Sequence, residues 1–261
     1  MSIARDLREL ISYRELVTVF ARREIRARYR HSLLGAGWAV ALPVGLTLIF
    51  TFVFARIAPV DTGAVPYPIF AYIGLLPWQL HANILNGSVR SLIDNRSLVI
   101  SVYFAREVLP LSRVGSACFD FAVGATVLVG LMAWYGVAPG PGLLLVPLVL
   151  CAQVSFGAGL ALFAAGGNLL YRDVQYVLQV VITMWMFGSA VVYPIPETGW
   201  FIWLKYVNPI TPMLDAYRGL IVGGRWGFDP PFYVACGISL LTLVLGWLWF
   251  RRVERRFGEL A

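Results

Sequence analysis

A chain of 261 residues with 59% hydrophobic and 13% charged side chains lies outside the range of soluble domains, which carry about a quarter charged residues. Its formal net charge is +7, and the positive charge is almost all arginine, with Lys205 the only lysine. A Walker A loop needs a lysine directly after a glycine-rich turn to reach nucleotide phosphates; Lys205 stands in WLKYV, which excludes a P-loop ATPase.

The first 30 residues are charged and amphipathic, with no short apolar core before a small-residue cleavage site. The first true span is therefore expected to serve as the insertion signal. Tyr13 to Tyr29 places Leu16, Val17, Phe20 and Ile25 on one face and Arg14, Arg22, Arg26 and Arg30 on the other. That pattern predicts an amphipathic helix in the membrane interface. It serves either as a surface anchor or, because it feeds the first span, as a docking surface for a cytoplasmic partner. From Arg26 to Pro43, RARYRHSLLGAGWAVALP runs from this arginine-rich helix through a Leu-Gly joint into a charge-free one.

A membrane helix needs about 20 consecutive apolar residues. Six segments qualify, over 33–55, 68–89, 107–134, 143–167, 174–196 and 230–250. The third and fourth share a charge-free run from Phe121 to Tyr171, divided at Gly136 to Gly142 by GVAPGPG, because proline and clustered glycine end helices. The prediction is an all-α membrane protein: a cytoplasmic N-terminus over 1–32, a six-helix domain over 33–250, and a cytoplasmic tail over 251–261.

Between spans two and three, Asp94, Asn95 and Arg96 form a polar turn flanked by Leu92 and by Leu98, Val99 and Ile100. An apolar tip of this kind fits a groove on another protein; a solvated connector needs fewer apolar residues. NLLYRDVQ, Asn168 to Gln175, joins spans four and five. There Arg172 and Asp173 are placed to cap the next helix, an acidic group being favourable near a helix N-terminus. Between spans five and six, Pro194, Pro196, Pro209 and Pro212 cut the chain into pieces too short to cross. Such pieces read as short re-entrant helices, tolerated at membrane depth only where protein shields their backbone. They form either a periplasmic gate or a surface loop anchored by Trp200 and Trp203.

Six spans put both termini on one side. All but Arg56, Lys205, Arg218 and Arg225 of the 21 basic residues fall on that side, and positive residues stay cytoplasmic. The charge is thus a topology signal, with contact to anionic membrane lipids secondary and no role for nucleic acid. Cys118, Cys151 and Cys236 lie in apolar runs at no metal-ligand spacing and read as buried free thiols. Asp120 is the one charge well inside a span, where the default reading is functional. With no second titratable group beside it, a structural pair is the better reading, either with Arg113 two turns away or with a neighbouring helix. His31 and His81 have no acidic neighbours, so membrane hydrolase or glycosyltransferase chemistry has little support. Two aromatic groups, Trp38, Phe50, Phe52 and Phe54 in span one and Tyr176, Trp185, Phe187 and Tyr193 in span five, suit either lipid packing or a sugar-stacking pore.

At RYRHSLLGAGWAVALP the chain resembles the permease subunit of type-2 ABC exporters, in the branch that exports O-antigen, capsule or teichoic acid. Tyr29, Arg30, Ser32, Leu34, Gly35, Trp38 and Pro43 carry the pattern. Gly74 to Trp78 (GLLPW), Arg172–Asp173 and the Tyr193-to-Pro209 segment (YPIP…NP) extend it over essentially the whole chain. The resemblance implies a homodimeric pore in the bacterial inner membrane, lined by spans one and five. Two copies of a separate ABC ATPase drive it; they bind the ATP and magnesium, and this chain holds no cofactor or metal. The implied cargo is a glycan on undecaprenyl diphosphate. It enters near Leu34 and Gly35, with Arg26, Arg28 and Arg30 near its diphosphate and Trp38, Phe50, Phe52, Tyr176, Trp185, Phe187 and Tyr193 along the channel. Arg22, Arg23, Asp94, Arg96, Arg172 and Asp173 are the implied contacts to the ATPase. Pro194, Pro196, Trp200, Trp203, Asn208 and Pro209 form the implied gate. A type-2 ABC efflux permease for drugs or small lipids is the alternative within the family. A secondary carrier would show more intramembrane charges and an inverted repeat.

Overall fold

The computed structural model describes residues 13–30, 32–33, 35–102, 104–195, 199 and 201–254, and within them every regular element is helical. Leu34, Pro196, Trp200 and the tail beyond Glu254 lie outside the described residues. Helix α1 spans Arg14–Tyr29. A 3₁₀ turn over Gly35–Gly37 leads into α2, Trp38–Phe52, which ends in a π turn over Val53–Ile57. Helix α3 is Tyr67–Val89. Two short helices, α4 (Ser91–Asp94) and α5 (Arg96–Ser101), precede α6, Val108–Tyr135. A 3₁₀ turn over Pro141–Leu145 opens α7, Val146–Leu170. Then come α8 (Val174–Gly188), α9 (Phe201–Val207), α10 (Ile210–Ile221) and α11 (Pro230–Glu254).

Among the described residues, four helical segments are long and apolar enough to cross a membrane: Gly35–Ile57, Val108–Tyr135, Pro141–Leu170 and Pro230–Glu254. The second and fifth predicted spans differ for separate reasons. Helix α3 has the length, at 23 residues, but carries Gln79, His81, Asn83, Asn86 and Ser88. It packs against α2, α6, α7, α8 and α10, and Ile69, Ala71, Tyr72, His81, Ile84 and Ser88 are fully buried. As the central post of the bundle, α3 meets protein on most sides, so it does not need the apolarity of a lipid-facing helix. The fifth stops early: α8 is 15 residues long, and Ser189 to Ile195 are not helical.

The break after α8 leaves carbonyls without helical partners, and those of Phe187, Gly188, Ala190, Val191 and Val192 accept from side chains. Asn208 Nδ2 donates to Gly188 O at 3.1 Å. Arg218 donates to Ala190 O at 3.1 Å and to Val191 O at 2.6 Å, and the Tyr67 hydroxyl donates to Val192 O at 2.7 Å. The Tyr193 hydroxyl takes Phe187 O. Ala190 itself adopts φ of 53°, an unfavourable angle for a residue with a Cβ. Arg218 is 8% exposed and also stacks on Phe70 with its guanidinium carbon 3.9 Å from the ring centroid.

Gly74 explains the close approach of this segment to α3: a Cβ there would overlap the Val191 carbonyl oxygen and crowd the Arg218 guanidinium. A second close contact joins α7 to α11, where Gly159 and Gly246 bring the two backbones together, as small residues do between membrane helices. Gln153, fully buried on α7, donates to Pro77 O at 2.7 Å and accepts from the Tyr217 hydroxyl at 2.9 Å. The three cysteines are free, as expected, but not deeply buried: Cys151 is exposed and the other two are intermediate, because they occupy outward helix faces.

Replacing Gly74 with valine is expected to destabilise the protein by about 1–3 kcal/mol, the usual cost of overpacking. Thermal unfolding in detergent measures it; an unchanged midpoint would show that the α3–Val191 contact has slack.

Candidate functional site

The amphipathic helix is fastened to the bundle along α6. Arg28 forms an ion pair with Asp120, and Glu24, four residues earlier on α1, pairs with Arg113, seven residues earlier on α6. Both rungs advance in the same chain direction, so the two helices run alongside one another in parallel sense. One turn before Glu24, Ala21 lies so close to α6 that a Cβ on Gly115 would sit 3.2 Å from its own. The Tyr29 hydroxyl donates to Asp120 at 2.6 Å and Asn83 Nδ2 of α3 reaches the same carboxylate at 3.5 Å. Asp120 is therefore paired, with α1 as its partner, while Arg113 is engaged by Glu24. Burial, and then the hydrogen bond to Asp120, push the Tyr29 phenol up to about 12.

The face of α1 that the sequence marks as apolar covers protein: Tyr13, Leu16, Val17 and Phe20 pack on a cluster containing Leu92, Val99, Phe104, Trp247 and Phe250. Phe20 stacks on Phe104 at 6.2 Å. Arg23 donates to Asn95 Oδ1 at 2.6 Å, tying α1 to the turn between α4 and α5. Arg251 pairs with Glu107, so the end of α11 joins the same region. The arginine-rich segments thus gather at one end of the bundle. Arg22, Arg26, Arg30, Asp94, Arg96, Arg172 and Asp173 are exposed there. Of the three arginines expected near a diphosphate, Arg28 is committed to Asp120, whereas Arg26 and Arg30 face outward.

Helix α1 and α2 are not fused end to end. Arg30 turns extended, with ψ of 131°, and Gly35 takes φ of 52°, a conformation that glycine adopts freely. Asp173 stands at the N-cap of α8 without a side-chain capping bond. The capping acceptor comes from Asn168, whose Oδ1 accepts from Gln175 N at 3.3 Å while its Nδ2 donates to Val89 O at 2.8 Å. A buried amide thus ties the ends of α3, α7 and α8 together, where the sequence pointed to a surface carboxylate.

The aromatics expected along a channel divide into two sets. Trp38, Phe52, Tyr176 and Phe187 are 59%, 64%, 65% and 53% exposed. Phe50, Trp185 and Tyr193 are partly buried. Phe50 stacks on Phe54 at 6.0 Å. Trp185 packs edge-on to His81 at 5.0 Å and donates to Asn208 Oδ1 at 3.0 Å. Asn208 thus joins α8 to the start of α10, and Pro209 beside it is buried. Trp203 and Pro194 are exposed. Among the described residues no group of three His, Cys, Asp or Glu side chains is placed to hold a metal ion.

A family model described as ABC-2 type transporter matches residues 15–222. This chain belongs to the ABC-2 type transporter family. It is similar along nearly its whole length to O-antigen export system permease protein RfbA of Myxococcus xanthus, at 28% identity over 260 residues and 98% of each chain. The RfbA protein of Klebsiella pneumoniae is also 28% identical, covering 94% of this chain and 95% of its own. Polysialic acid transport protein KpsM of Escherichia coli is 25% identical over 89% and 91% of the two chains. An ABC-2 transporter chain of this kind is the transmembrane permease subunit, which fits the missing nucleotide loop. The matched region takes in the α1–α6 clasp, the α4–α5 turn and the Arg218 staple, and stops at the loop after α10.

Asp120→Asn is expected to loosen α1 and cost about 1–3 kcal/mol, less than a fully buried pair because Arg28 is partly exposed. Exchanging the charges, with Arg28→Asp and Asp120→Arg together, should recover part of that loss. Hydrogen exchange of the α1 amides reads both; exchange in Asp120→Asn at the wild-type rate would show that the pair does not hold the helix.

The raised Tyr29 pKa means that the folded state keeps its proton to higher pH than the unfolded chain does. Its contribution to docking is complete below pH 10 and is lost as pH rises towards about 12. The difference absorbance of tyrosinate between wild type and Tyr29→Phe should show one ionisation near that pH.

Proposed function

We propose that this chain is the membrane-spanning permease subunit of an ATP-driven exporter that carries lipid-linked polysaccharide outward across the bacterial inner membrane. In this reading two copies enclose the pore, α3 and α8 complete six crossings, and both termini face the cytoplasm. The observation that carries it is the free face of α8. Tyr176, Gln179, Thr183 and Phe187 recur at helical spacing as one exposed stripe. The Thr183 hydroxyl donates back to Gln179 O at 3.0 Å, so the Gln179 amide between the two aromatic rings is the polar group that a face meant for lipid alone has no use for. A glycan, with apolar C–H faces and hydroxyl edges, suits that mixture. On α2, Trp38, Leu42, Ile49 and Phe52 form a second exposed stripe. The printed functions of the relatives, O-antigen export and polysialic acid transport, agree with such a cargo.

ATP and magnesium belong on two copies of a cytoplasmic ATPase. These dock at the arginine-rich end, on exposed Arg22, Asp94, Arg96, Arg172 and Asp173. Arg23, exposed on the same surface, links it to the fold through its bond to Asn95 and so passes movement of the α4–α5 turn into α1. Arg26 and Arg30 are the arginines left to meet the lipid diphosphate beside Gly35. At the opposite end α9 and α10, held by Asn208 and Pro209, form the gate.

Reconstitution of the chain with its ATPase in vesicles containing an undecaprenyl-diphosphate glycan tests the reading. ATP-dependent appearance of the glycan on the far side is the expected result. Transport driven by a proton gradient with no ATP would overturn it. Asp94→Ala together with Arg96→Ala should lower export at least tenfold while ATP hydrolysis continues; normal export would make the α4–α5 turn a mere connector.

A further inference from the structure

A cavity of about 670 Å³ opens at the end of the bundle away from the arginines, between α9, α10 and the loop leading into α11. Its walls combine ring faces with paired charges. Tyr206, Trp226 and Phe228 line it together with Lys205 and Asp215, whose ammonium and carboxylate are 3.0 Å apart. Arg225 and Asp229, a second pair at 3.1 Å, border the same space. Trp226 is 61% exposed, while Phe228 is backed by Phe232 in a stack with centroids 4.2 Å apart.

The loop that presents Trp226 is folded tightly onto α10. Arg225 N donates to Gly219 O at 3.1 Å, and Gly140 N donates to Ile221 O at 2.6 Å. A Cβ on Gly223 would lie 3.0 Å from Gly219, and one on Gly142 would strike the Arg225 carbonyl. Four glycines, two of them from the α6–α7 connection, therefore allow this wall to close. A tryptophan that only anchored the protein in the interface would need neither a pocket beside it nor two ion pairs around it.

We propose that this cavity is a saccharide-binding site on the outer face, holding a sugar unit of the emerging glycan, an inference that rests on the exporter reading above. The Trp226 and Tyr206 rings take the apolar face of a pyranose, and Lys205, Asp215, Arg225 and Asp229 offer donors and acceptors to its hydroxyls. The volume lies within the range of small-molecule sites. Ion pairs that already balance one another favour a neutral ligand rich in hydroxyls over an anionic headgroup.

The test uses the full chain in lipid nanodiscs. The probe is oligosaccharide released by mild acid from the surface glycan of the producing cell, with binding followed by calorimetry. Saturable binding that weakens at least tenfold in Trp226→Ala, and stays within threefold of wild type in Trp226→Tyr, is the expected result. Absence of saturable binding, equal binding by Trp226→Ala, or displacement of the sugar by phosphocholine would overturn the site. ATP-driven export of the same glycan, measured in parallel, separates the two ideas. Export without binding defeats the pocket alone. Binding without export defeats the exporter reading and leaves a sugar site in place.

Discussion

Asp120 is 4% exposed on a helix that carries no other charge from Phe121 to Tyr135. An ionised carboxylate in that position is costly unless a partner compensates it, and the partner arrives from 92 residues away in the chain as Arg28. That requirement sets much of the architecture. It draws α1 along α6, carries Tyr29 to the same carboxylate and stations the joint before α2 at a defined place. The hydrophobic contacts of Leu16, Val17 and Phe20 hold α1 against the bundle, but contacts of that kind are non-directional. The two ion pairs set its register. Anything that shifts α1 must work against them, which makes the clasp the natural lever between the arginine-rich end and α2.

The same physics governs the opposite end. A helix that breaks among apolar neighbours exposes carbonyls that water does not reach, and each must find a donor within the protein. Arg218, Asn208, Tyr67 and Tyr193 supply those donors around the end of α8. Three come from segments flanking the break, α10 included, and the fourth from the buried post α3. The outer helices are thus bonded to the end of α8 at several points. Motion of α8 would reach α9 and α10 through Asn208 and Arg218, and the proposed saccharide pocket lies on the far side of those same helices.

Much of this was legible from composition. Apart from α8, which stops at Gly188 well short of its run, the long helical segments fall within a few residues of the predicted spans, because a membrane helix must be both apolar and about 20 residues long. The GVAPGPG break separates α6 from α7 as expected, and the Asp94–Arg96 turn divides two short helices. Less could be read where a polar side chain satisfies distant backbone. Nothing in NLLYRDVQ ranks Asn168 above Asp173 as the cap of α8, since the choice depends on Val89 being beside it. Gln153 and Arg218 carry no local signal either; their partners lie on other helices. Trp185 and Phe187 look alike in sequence, yet Trp185 turns inward to His81 and Asn208 while Phe187 stays exposed.

By itself the sequence determined that the chain is an all-helical membrane protein without a nucleotide loop, and that its basic residues concentrate in particular segments. Hydropathy and charge are properties of consecutive residues, so no fold is needed to read them. Only the tertiary structure decided which polar residues are committed and which are free. Arg26, Arg28 and Arg30 are equivalent in RARYR, but helical phase and the position of Asp120 commit the guanidinium of Arg28 to an ion pair while it stays partly exposed, and leave the other two facing outward. Pairing across 92 residues depends on how helices pack, and that information exists only once the chain has folded.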